Sequence, residues 1–582
     1  MTEVPAAGTL RHVVLIGHPG AGTTTLIDTL VRRAGGLAPA STPPVTRTDW
    51  TVAGTLLPLR PPVRPPSPSV PARTMALAAS QLVHGGAQVT LLDVPSDLEL
   101  TGALAAGLRA ADAALFVVSA VGGISPRLVQ LWEQCEADEV PRALVITQLD
   151  QPGAEFDESV ALCQRLLGEG VQPLQVPLHA EDDSIAGLVD LLVPHIHDWS
   201  SGDPVVGDPD PEHLLLVEGL RADLVEAILA GSEDESLLDA YLKEEPPQPA
   251  VLAREFSSAV RRGSLHPVLA VVPGSAVGTD ELLDLLVGAF PAPTDARPPV
   301  LMHPDGSPAS QVEGLLVVEL LADVDTASPV AGAPPTAAPY LIRVRSGTLL
   351  AAGQALVSAR PGSDLIVAHV ADLQLDDVAG SAVPALVAGQ LGLVHGLGPG
   401  LVWSTLSSAE DPLVLALPAL PPPPHPTGLE SAKGPVALLR ALGPVVTRDP
   451  TSRVEESPAG QVLLWSLGER HAQLLLTRLD LDIRVVPVRT PLVPGPDGSA
   501  HEPYSAIQVH VPTAYARAVV SLLASRRPLW TRTEAAPGED LTVILTELPD
   551  AETLDLTGAL AATSHGTALL LRSPAPERAG TR

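Results

Sequence analysis

Cysteine, lysine and aromatic residues are all scarce in this chain of 582 residues. The two cysteines, Cys135 and Cys163, cannot build a disulfide framework or a cysteine-rich zinc site, so we expect no metal cluster. Aromatic residues make up 2% of the sequence, and the hydrophobic cores must therefore consist mainly of Leu, Val and Ala. Of the 35 basic residues only Lys243 and Lys433 are lysines, so arginine is the cation that this composition favours.

Positive charge is in short supply as well, because the formal net charge is −32 at pH 7. Nucleic-acid binding relies on basic surfaces that contact phosphates. The charge therefore argues against a free-standing nucleic-acid binder, and we expect no DNA partner. It still permits docking on a ribonucleoprotein through a few local arginines.

Long apolar spans and targeting signals are also missing. Residues 378–409 carry no charge, but their glycines together with Pro384, Pro399 and His395 favour short strands and turns over a membrane helix. The N-terminal residues do not show a basic region followed by an apolar run, the pattern of a signal peptide. We therefore expect a soluble, cytoplasmic protein with no membrane partner.

A glycine-rich loop stands near the N-terminus, between a predicted strand and a predicted helix. Residues 11–17 form an apolar run, and the residues after the loop have helical spacing. The loop from Gly17 to Thr24 matches the phosphate-binding pattern G-x-x-x-x-G-K-[ST], except that Thr23 stands at the lysine position. A lysine brings positive charge to the β- and γ-phosphates, whereas Thr23 offers only a hydroxyl. Taken alone, the segment fits a nucleotide site and a plain glycine turn equally well.

Four more apolar runs follow along the first half of the chain, and helix-like segments separate them. This alternation predicts a parallel sheet with crossover helices, an α/β domain. The length of the chain exceeds one hydrophobic core and predicts about four or five domains in total. The runs cover residues 87–97, 111–124, 142–150 and 267–276.

Short sequences at the ends of these runs are GHPGAGTTTL, LLDVPSD, TQLD and PGSA. They resemble the nucleotide-binding loops of elongation factor G, a translational GTPase. Residues from about 178 to 265 resemble the helical insert that this family carries before the last strand of its G domain. The resemblance implies GTP or GDP with Mg²⁺ as ligands, the metal being held by Thr24 and Asp93. The nucleotide-binding positions it implies are Gly17, His18, Gly20, Ala21, Gly22, Thr23, Thr24, Thr25, Asp93, Thr147, Gln148, Asp150, Ser275 and Ala276.

Several of these loops depart from the family pattern. Ser96 replaces the glycine that contacts the γ-phosphate, and Asp97 replaces the histidine that orders the attacking water. A carboxylate about 4 Å from a phosphate oxygen repels it by about 4 kcal/mol at an effective dielectric near 20. Thr147 and Gln148 replace the asparagine and lysine that brace the base, while Asp150 keeps the carboxylate that reads guanine. We therefore expect no intact catalytic residue, with Asp97 as the degenerate position, and impaired GTP hydrolysis.

The rest of the chain resembles the other domains of the family, except its fourth. The predicted fold is a multidomain α/β and β protein: a P-loop GTPase-like G domain with a helical insert, a β-barrel second domain and two ferredoxin-like α+β domains. The predicted segments are 1–293 (G domain), 294–417 (barrel), 418–428 (proline-rich linker), 429–490 (third domain), 491–501 (linker in place of the fourth domain), 502–575 (fifth domain) and 576–582 (tail).

Two features of the last domains concern function. Asp449-Pro450-Thr451 is the most literal match to the family's third domain, and His471 is expected to be a helix-face residue without chemistry. Arg526 and Arg527 are the best candidates for a contact with ribosomal RNA, and two solvated arginines at a helix end are an equally good interpretation.

Three functional hypotheses follow. The first is a GTPase-deficient paralogue that docks at the factor-binding site of the large ribosomal subunit and regulates or protects translation. The second is a slow GTP-hydrolysing translation factor that acts in elongation or ribosome recycling. The third is an interaction scaffold with no ribosomal role.

Overall fold

The computed structural model describes most of the chain, and all structural statements below concern these residues. None of the helices in this part is long and apolar enough to cross a membrane. The described residues are 7–18, 20–35, 51–53, 78–95, 101–180, 184–199, 204–241, 243, 247–296, 298–309, 314–325, 339–358, 364–375, 382–398, 401–417, 423–457, 460–477, 479, 482–488, 493–494, 500–501, 503–535, 541–564 and 567–575.

A seven-stranded sheet forms the core of the first domain, in the order β3-β4-β1-β5-β6-β12-β7. Apart from the antiparallel edge strand β3, neighbouring strands run parallel, as the continuous apolar runs predict. The strands are β1 (Leu10–Gly17), β3 (Ala78–His84), β4 (Ala87–Asp93), β5 (Ala113–Ser119), β6 (Arg142–Thr147), β7 (Val171–Pro173) and β12 (His266–Ala270).

Helices cover both faces of this sheet, and two buried apolar clusters fill the space between them. Ser125 caps one of the helices by accepting a hydrogen bond from Leu128 N, and Pro126 occupies its first turn. The helices of this domain outside the insert are α1 (Thr23–Ala34), α2 (Thr101–Ala110), α3 (Pro126–Ala137), α4 (Phe156–Leu167) and α8 (Thr279–Gly288), with a short 3-10 helix at Ala7–Thr9.

The insert contains an antiparallel sheet as well as helices. Its four strands lie in the order β11-β10-β9-β8, and three helices follow them in the chain. The predicted helical insert therefore also contains strands that the sequence did not reveal. These elements are β8 (Gln175–His179), β9 (Ile185–Asp190), β10 (Ile196–Asp198), β11 (Val205–Gly207), α5 (Pro211–Ala230), α6 (Glu235–Tyr241) and α7 (Pro249–Arg262).

The second domain is an antiparallel β structure around a core of Val, Leu and Ile. Its main sheet has the order β18-β17-β23-β14-β15-β22-β19-β20, and β2 adds to one end of β14. The strands are β2 (Thr51–Ala53), β13 (Leu301–Met302), β14 (Val317–Asp325), β15 (Tyr340–Ser346), β16 (Thr348–Leu350), β17 (Gln354–Ser358), β18 (Ile366–His369), β19 (Leu373–Leu375), β20 (Ala382–Val383), β21 (Ala385–Val387), β22 (Leu391–Val394), β23 (Thr405–Ser407) and β24 (Val414–Leu415).

Two βαββαβ units complete the described part of the chain. Each has a four-stranded antiparallel sheet with its first strand between the third and the fourth, the ferredoxin-like arrangement. The first unit comprises β25 (His425–Ser431), α9 (Pro435–Arg448), β26 (Arg453–Glu456), β27 (Val462–Ser466), α10 (Glu469–Thr477) and β28 (Ile483–Val486). The second comprises β31 (Tyr504–Pro512), α11 (Thr513–Ala524), β32 (Thr531–Ala535), β33 (Leu541–Pro549), a 3-10 helix (Asp550–Thr553), α12 (Leu556–Thr563) and β34 (Leu569–Pro574).

The connections before and between these units are short. Strand β25 begins at His425, inside the segment 418–428 that the sequence assigns to a linker. Only residues 487–503 separate the last strand of one unit from the first strand of the next. Within this connection β29 (Val493–Pro494) pairs with β30 (Ala500–His501) as a small antiparallel hairpin.

Helix α2 is held by a buried ion-pair network at its C-terminal end. Glu319 of β14 pairs with Arg109 of α2 and with Arg345 of β15, the latter at 2.8 Å. Arg343 of β15 pairs with Asp112 at 2.5 Å, and both arginines of β15 donate to the last backbone carbonyl oxygens of α2. Cations stabilise the C-terminal end of a helix, and here the cations are two arginines of the barrel. These contacts therefore join the barrel to the first domain through α2.

The N-terminal end of α2 meets the third domain. A Cβ atom built on Gly102 would lie 3.3 Å from Cγ2 of Thr451, which leaves little space for any larger residue. Helix α2 therefore contacts the barrel at one end and the first ferredoxin-like unit at the other.

Candidate nucleotide site

The glycine-rich loop connects β1 to α1 at the carboxyl edge of the parallel sheet. Gly20 and Gly22 have φ angles of +91° and +87°, a conformation that favours glycine. A Cβ atom built on either residue has no other atom within 4 Å, so their backbone faces open space. At Gly17 the opposite holds, because a Cβ atom there would lie 2.7 Å from Oγ1 of Thr23. The loop thus packs tightly against the strand and leaves its outer backbone accessible. Pro19 lies outside the described residues.

Thr24 and Asp93 meet beside this loop. Oγ1 of Thr24 donates a hydrogen bond of 2.8 Å to Oδ2 of Asp93, which is 5% exposed at the end of β4. A hydroxyl and a carboxylate are oxygen ligands of the kind that Mg²⁺ prefers. The structure therefore brings together the two residues that the sequence assigns to the metal.

The residues that follow β6 brace the loop from behind. Oγ1 of Thr147 donates to the backbone oxygen of Ala21 at 2.7 Å, and Nε2 of Gln148 donates to that of Gly20 at 2.8 Å. Oγ of Ser119, at the end of β5, donates in turn to Oε1 of Gln148. Sequence reasoning missed Ser119, although its position at the end of the strand between β1 and β6 could have indicated it.

His18 and Thr25 differ in their surroundings. A Cβ atom built on Gly122 would lie 2.7 Å from Nε2 of His18, so the imidazole packs against the backbone after β5. Thr25 is exposed in the first turn of α1, and its carbonyl oxygen accepts a hydrogen bond from Thr29.

The expected guanine side of the site follows β6 and β12, two neighbouring parallel strands. Asp150 is exposed just after β6, and Ser275 is exposed in the loop after β12. Ala276 has a φ angle of +60°, and its carbonyl oxygen accepts a hydrogen bond of 2.7 Å from Oγ1 of Thr279 at the start of α8. Since the carboxyl ends of parallel strands lie at one edge, these residues share that edge with the glycine-rich loop.

The residues expected to act on the γ-phosphate are only partly described. Ser96 and the degenerate catalytic position Asp97 lie outside the described residues. Thr23, which is described, places a neutral hydroxyl against Gly17. Arg33, in the last turn of α1, pairs with Asp280 of α8 at 2.6 Å and serves the packing of these two helices.

The two arginines predicted to contact ribosomal RNA form ion pairs within the last domain. Arg526 pairs with Asp555 at 2.5 Å and also donates to the backbone oxygen of Glu552. Arg527 pairs with the side chain of Glu552 at 2.9 Å. The hydrogen bond that Arg526 donates to Asp555 raises the pKa of Arg526 above its usual value. These contacts join the C-terminal end of α11 to the start of α12, and the side chain of Arg527 is 60% exposed.

His471 lies on α10, as expected of a helix-face residue, and its side chain is buried. Its Nε2 lies 2.8 Å from Oδ2 of Asp449, and its Nδ1 accepts a hydrogen bond of 3.1 Å from the backbone N–H of Leu467. Nδ1 is therefore unprotonated and Nε2 carries the proton. The side chain has no access to a substrate, but it fixes the Asp449 turn that contacts α2 through Thr451.

Comparisons with known proteins agree with this architecture. Residues 8–292 match the model of the elongation factor Tu GTP binding domain, and residues 499–575 match that of the elongation factor G C-terminus. Two proteins named "Elongation factor G-like protein", from the CDC 1551 / Oshkosh and ATCC 25618 / H37Rv strains of Mycobacterium tuberculosis, are each 32% identical over 509 residues. These alignments cover 83% of this chain and 68% of each relative. The chain belongs to the elongation factor G family.

A solved structure supports the fold of this elongation factor G family member. The crystal structure of a protein from Thermus thermophilus superposes with a TM-score of 0.74 at 21% sequence identity. The superposition covers 98% of this chain and 97% of that protein. The family's G domain, β-rich and ferredoxin-like parts are thus present in one chain.

Most residues of the glycine-rich loop fit a guanine nucleotide with Mg²⁺, and one of them, Thr23, does not. The open backbone at Gly20 and Gly22 and the Thr24–Asp93 pair fit phosphates and a magnesium ion. Thr23 does not fit the role of the lysine in a phosphate-binding loop, because it carries no charge.

Proposed function

We propose that this protein is a translation factor of the elongation factor G family that docks at the ribosomal factor-binding site and hydrolyses GTP poorly or not at all. By occupying this site it would regulate or protect translation. The observation that carries the proposal is the neutral Thr23 in an otherwise well-formed phosphate loop. An arginine or a metal acting in place of the lysine would be needed for fast hydrolysis, since phosphoryl transfer depends on charge compensation.

The domain arrangement supports docking as the main activity. The buried ion pairs of Glu319 and Arg343 hold the G domain and the barrel together through α2. A preassembled surface of several domains suits recognition of a large particle, because little conformational freedom is lost on binding. Residues 487–503 leave space only for a hairpin where the family has its fourth domain, so we propose that the protein does not perform translocation.

Co-sedimentation with purified ribosomes tests docking. We expect binding at low salt that a translocating elongation factor G displaces, because both use one site. Phosphate release from GTP, measured with and without ribosomes, should stay near the background. Failure to sediment with ribosomes at low salt would contradict docking and favour the interaction scaffold.

A slow GTPase translation factor is the second candidate, favoured by the Thr24–Asp93 pair at 2.8 Å and by the exposed Asp150. It predicts phosphate release that ribosomes stimulate and that Asp93→Asn abolishes. Asp284→Asn is a matched control, because Asp284 lies 77% exposed on α8. If both variants release phosphate equally, the activity comes from a contaminant.

A further inference from the structure

A phosphate loop usually contacts the nucleotide in two ways, through backbone N–H groups and through a lysine side chain. Backbone N–H groups of the loop cradle the α- and β-phosphates, whereas the lysine side chain reaches the β- and γ-phosphates. In this chain the residues for the first kind of contact are in place, and the residue for the second is replaced. The α- and β-phosphates of a bound nucleotide would therefore have their backbone N–H donors, whereas the γ-phosphate would lack the lysine charge.

The backbone cradle is fixed by side chains of the protein itself. Thr147 and Gln148 hold the carbonyl oxygens of Ala21 and Gly20 at 2.7 and 2.8 Å. Since a trans peptide points its N–H opposite to its C=O, the N–H of Gly22 faces away from Thr147. The first N–H groups of α1 have no partners within the helix and also carry its positive dipole end. An anion can approach them, because the space around Gly20 and Gly22 is open.

Residue 23 supplies no positive charge to the γ-phosphate of a bound nucleotide. The hydroxyl of Thr23 lies against Gly17, where a built Cβ atom would be 2.7 Å from it. A cation about 4 Å from a phosphate oxygen favours binding by up to about a thousandfold at an effective dielectric near 20. Replacing lysine by threonine removes this attraction, and a third phosphate adds negative charge that no residue at position 23 offsets.

We propose that this site selects a guanosine diphosphate with Mg²⁺ over the corresponding triphosphate, with Thr23 as the residue that sets the preference. The inference rests on the proposed function only in taking the G domain as a nucleotide site, and it does not depend on ribosome docking. The protein would then remain in the diphosphate state at cellular mixtures of both nucleotides.

Isothermal titration calorimetry on the full chain with Mg²⁺ tests the preference. The ligands are GDP and a non-hydrolysable GTP analogue with an imido bridge between the β- and γ-phosphates. We expect GDP to bind at least tenfold more tightly. Equal binding, or tighter binding of the triphosphate analogue, would overturn the proposal. So would absence of GDP binding at millimolar concentration.

Two variants separate position 23 from a general gain of charge. Thr23→Lys should increase affinity for the triphosphate analogue more than for GDP, reducing the preference at least tenfold. Gln151→Lys adds the same charge at an exposed position beside the expected guanine end, and should leave the ratio within about threefold of the wild type because both ligands carry the same guanine. An equal effect of the two variants would contradict the role of Thr23. Circular dichroism shows whether each variant is folded, and the wild-type ratio decides the proposal if one is not.

Ribosome co-sedimentation without nucleotide separates this inference from the proposed function. Docking without any preference for GDP would overturn the inference alone. A clear preference for GDP in a protein that does not sediment with ribosomes would overturn the docking proposal alone.

Discussion

Replacing His197 by glutamine removes a cation that joins the insert sheet to α8. Nε2 of His197 lies 2.8 Å from Oδ2 of Asp190 in β9, and Nδ1 lies 2.7 Å from Oε1 of Glu281 in α8. The hydrogen bonds to Asp190 and Glu281 raise the pKa of His197 to about 10. The imidazolium is therefore present at neutral pH and bridges the two carboxylates.

The raised pKa sets the size and the pH range of the effect. A shift from 6.5 to about 10 corresponds to about 4–5 kcal/mol of interaction that favours the folded state. The side chain is 15% exposed, and solvent screening reduces the expected effect of His197→Gln to about 2–3 kcal/mol. Because the folded-state pKa is the higher one, this stabilisation is complete below pH 6.5. It falls as the pH rises towards 10.

Urea unfolding followed by tryptophan fluorescence measures the effect, since the Trp199 ring stacks on His197 with a centroid distance of 6.0 Å. The difference between wild type and His197→Gln should be about 2–3 kcal/mol at pH 6 and below about 1 kcal/mol at pH 10.5. His84→Gln is the control, because its partner Asp284 is 77% exposed and the pair should contribute little. A difference that stays constant with pH, or grows as the pH rises, would refute the reasoning.

Three further predictions concern buried groups. Glu319→Gln should destabilise the protein by about 3–5 kcal/mol at pH 7, because it removes the charge of a buried carboxylate that pairs with the partly buried Arg109 and Arg345. Burial alone would raise the pKa of Glu319, but its arginines hold it below the usual value, so the wild-type advantage should shrink as the pH falls below 4.5. Thermal unfolding at pH 7 and pH 4 checks both points, and an equal penalty at the two pH values would contradict them. Asp449→Asn should cost about 1.5–3 kcal/mol, since it removes the buried carboxylate that accepts hydrogen bonds from the neutral His471 and from Thr451, and hydrogen exchange in α10 should accelerate; unchanged exchange would show that the pair is dispensable. Burial raises the pKa of both Cys135 and Cys163 to about 12, so a disulfide reagent at pH 8 should label them only after unfolding, and rapid labelling of the native chain would disprove their burial.

The sequence predicts those parts of the fold that have strong local patterns. Apolar runs such as residues 113–119 directly indicate buried parallel strands, because both faces of the sheet are covered. The glycine spacing around Gly20 and Gly22 likewise indicates the phosphate loop and its helix. The two ferredoxin-like units are predicted by the resemblance to elongation factor G, with which their order of strands and helices agrees.

Other parts depend on distant contacts, and local patterns do not reveal them. Strand β11, Val205–Gly207, has three exposed residues and exists because it pairs with β10. Arg526 looks like a solvated helix end until Asp555 is placed beside it in space. Arg343 has the charge of a surface residue, yet it is 2% exposed because α2 covers it.

In the candidate site, too, some residues are predictable from local motifs and others only from the tertiary structure. Thr24 and Asp93 are identified from motifs, but the Ser119–Gln148–Gly20 connection needs the order of strands in the sheet. The burial of His471 could not be inferred either. Its partner Asp449 lies 22 residues earlier in the sequence, and the local helix pattern around His471 does not predict that the two residues meet.

The network at the end of α2 also limits how this protein can be divided. A G domain produced alone, ending near residue 293, would expose Asp112 without Arg343 and Arg109 without Glu319. The carbonyl oxygens that end α2 would lose their guanidinium partners at the same time. Nucleotide affinities measured on such a fragment would describe a G domain in which α2 has lost the contacts of its C-terminal end. The smallest piece that preserves the native environment of α2 on this side is the G domain together with the barrel.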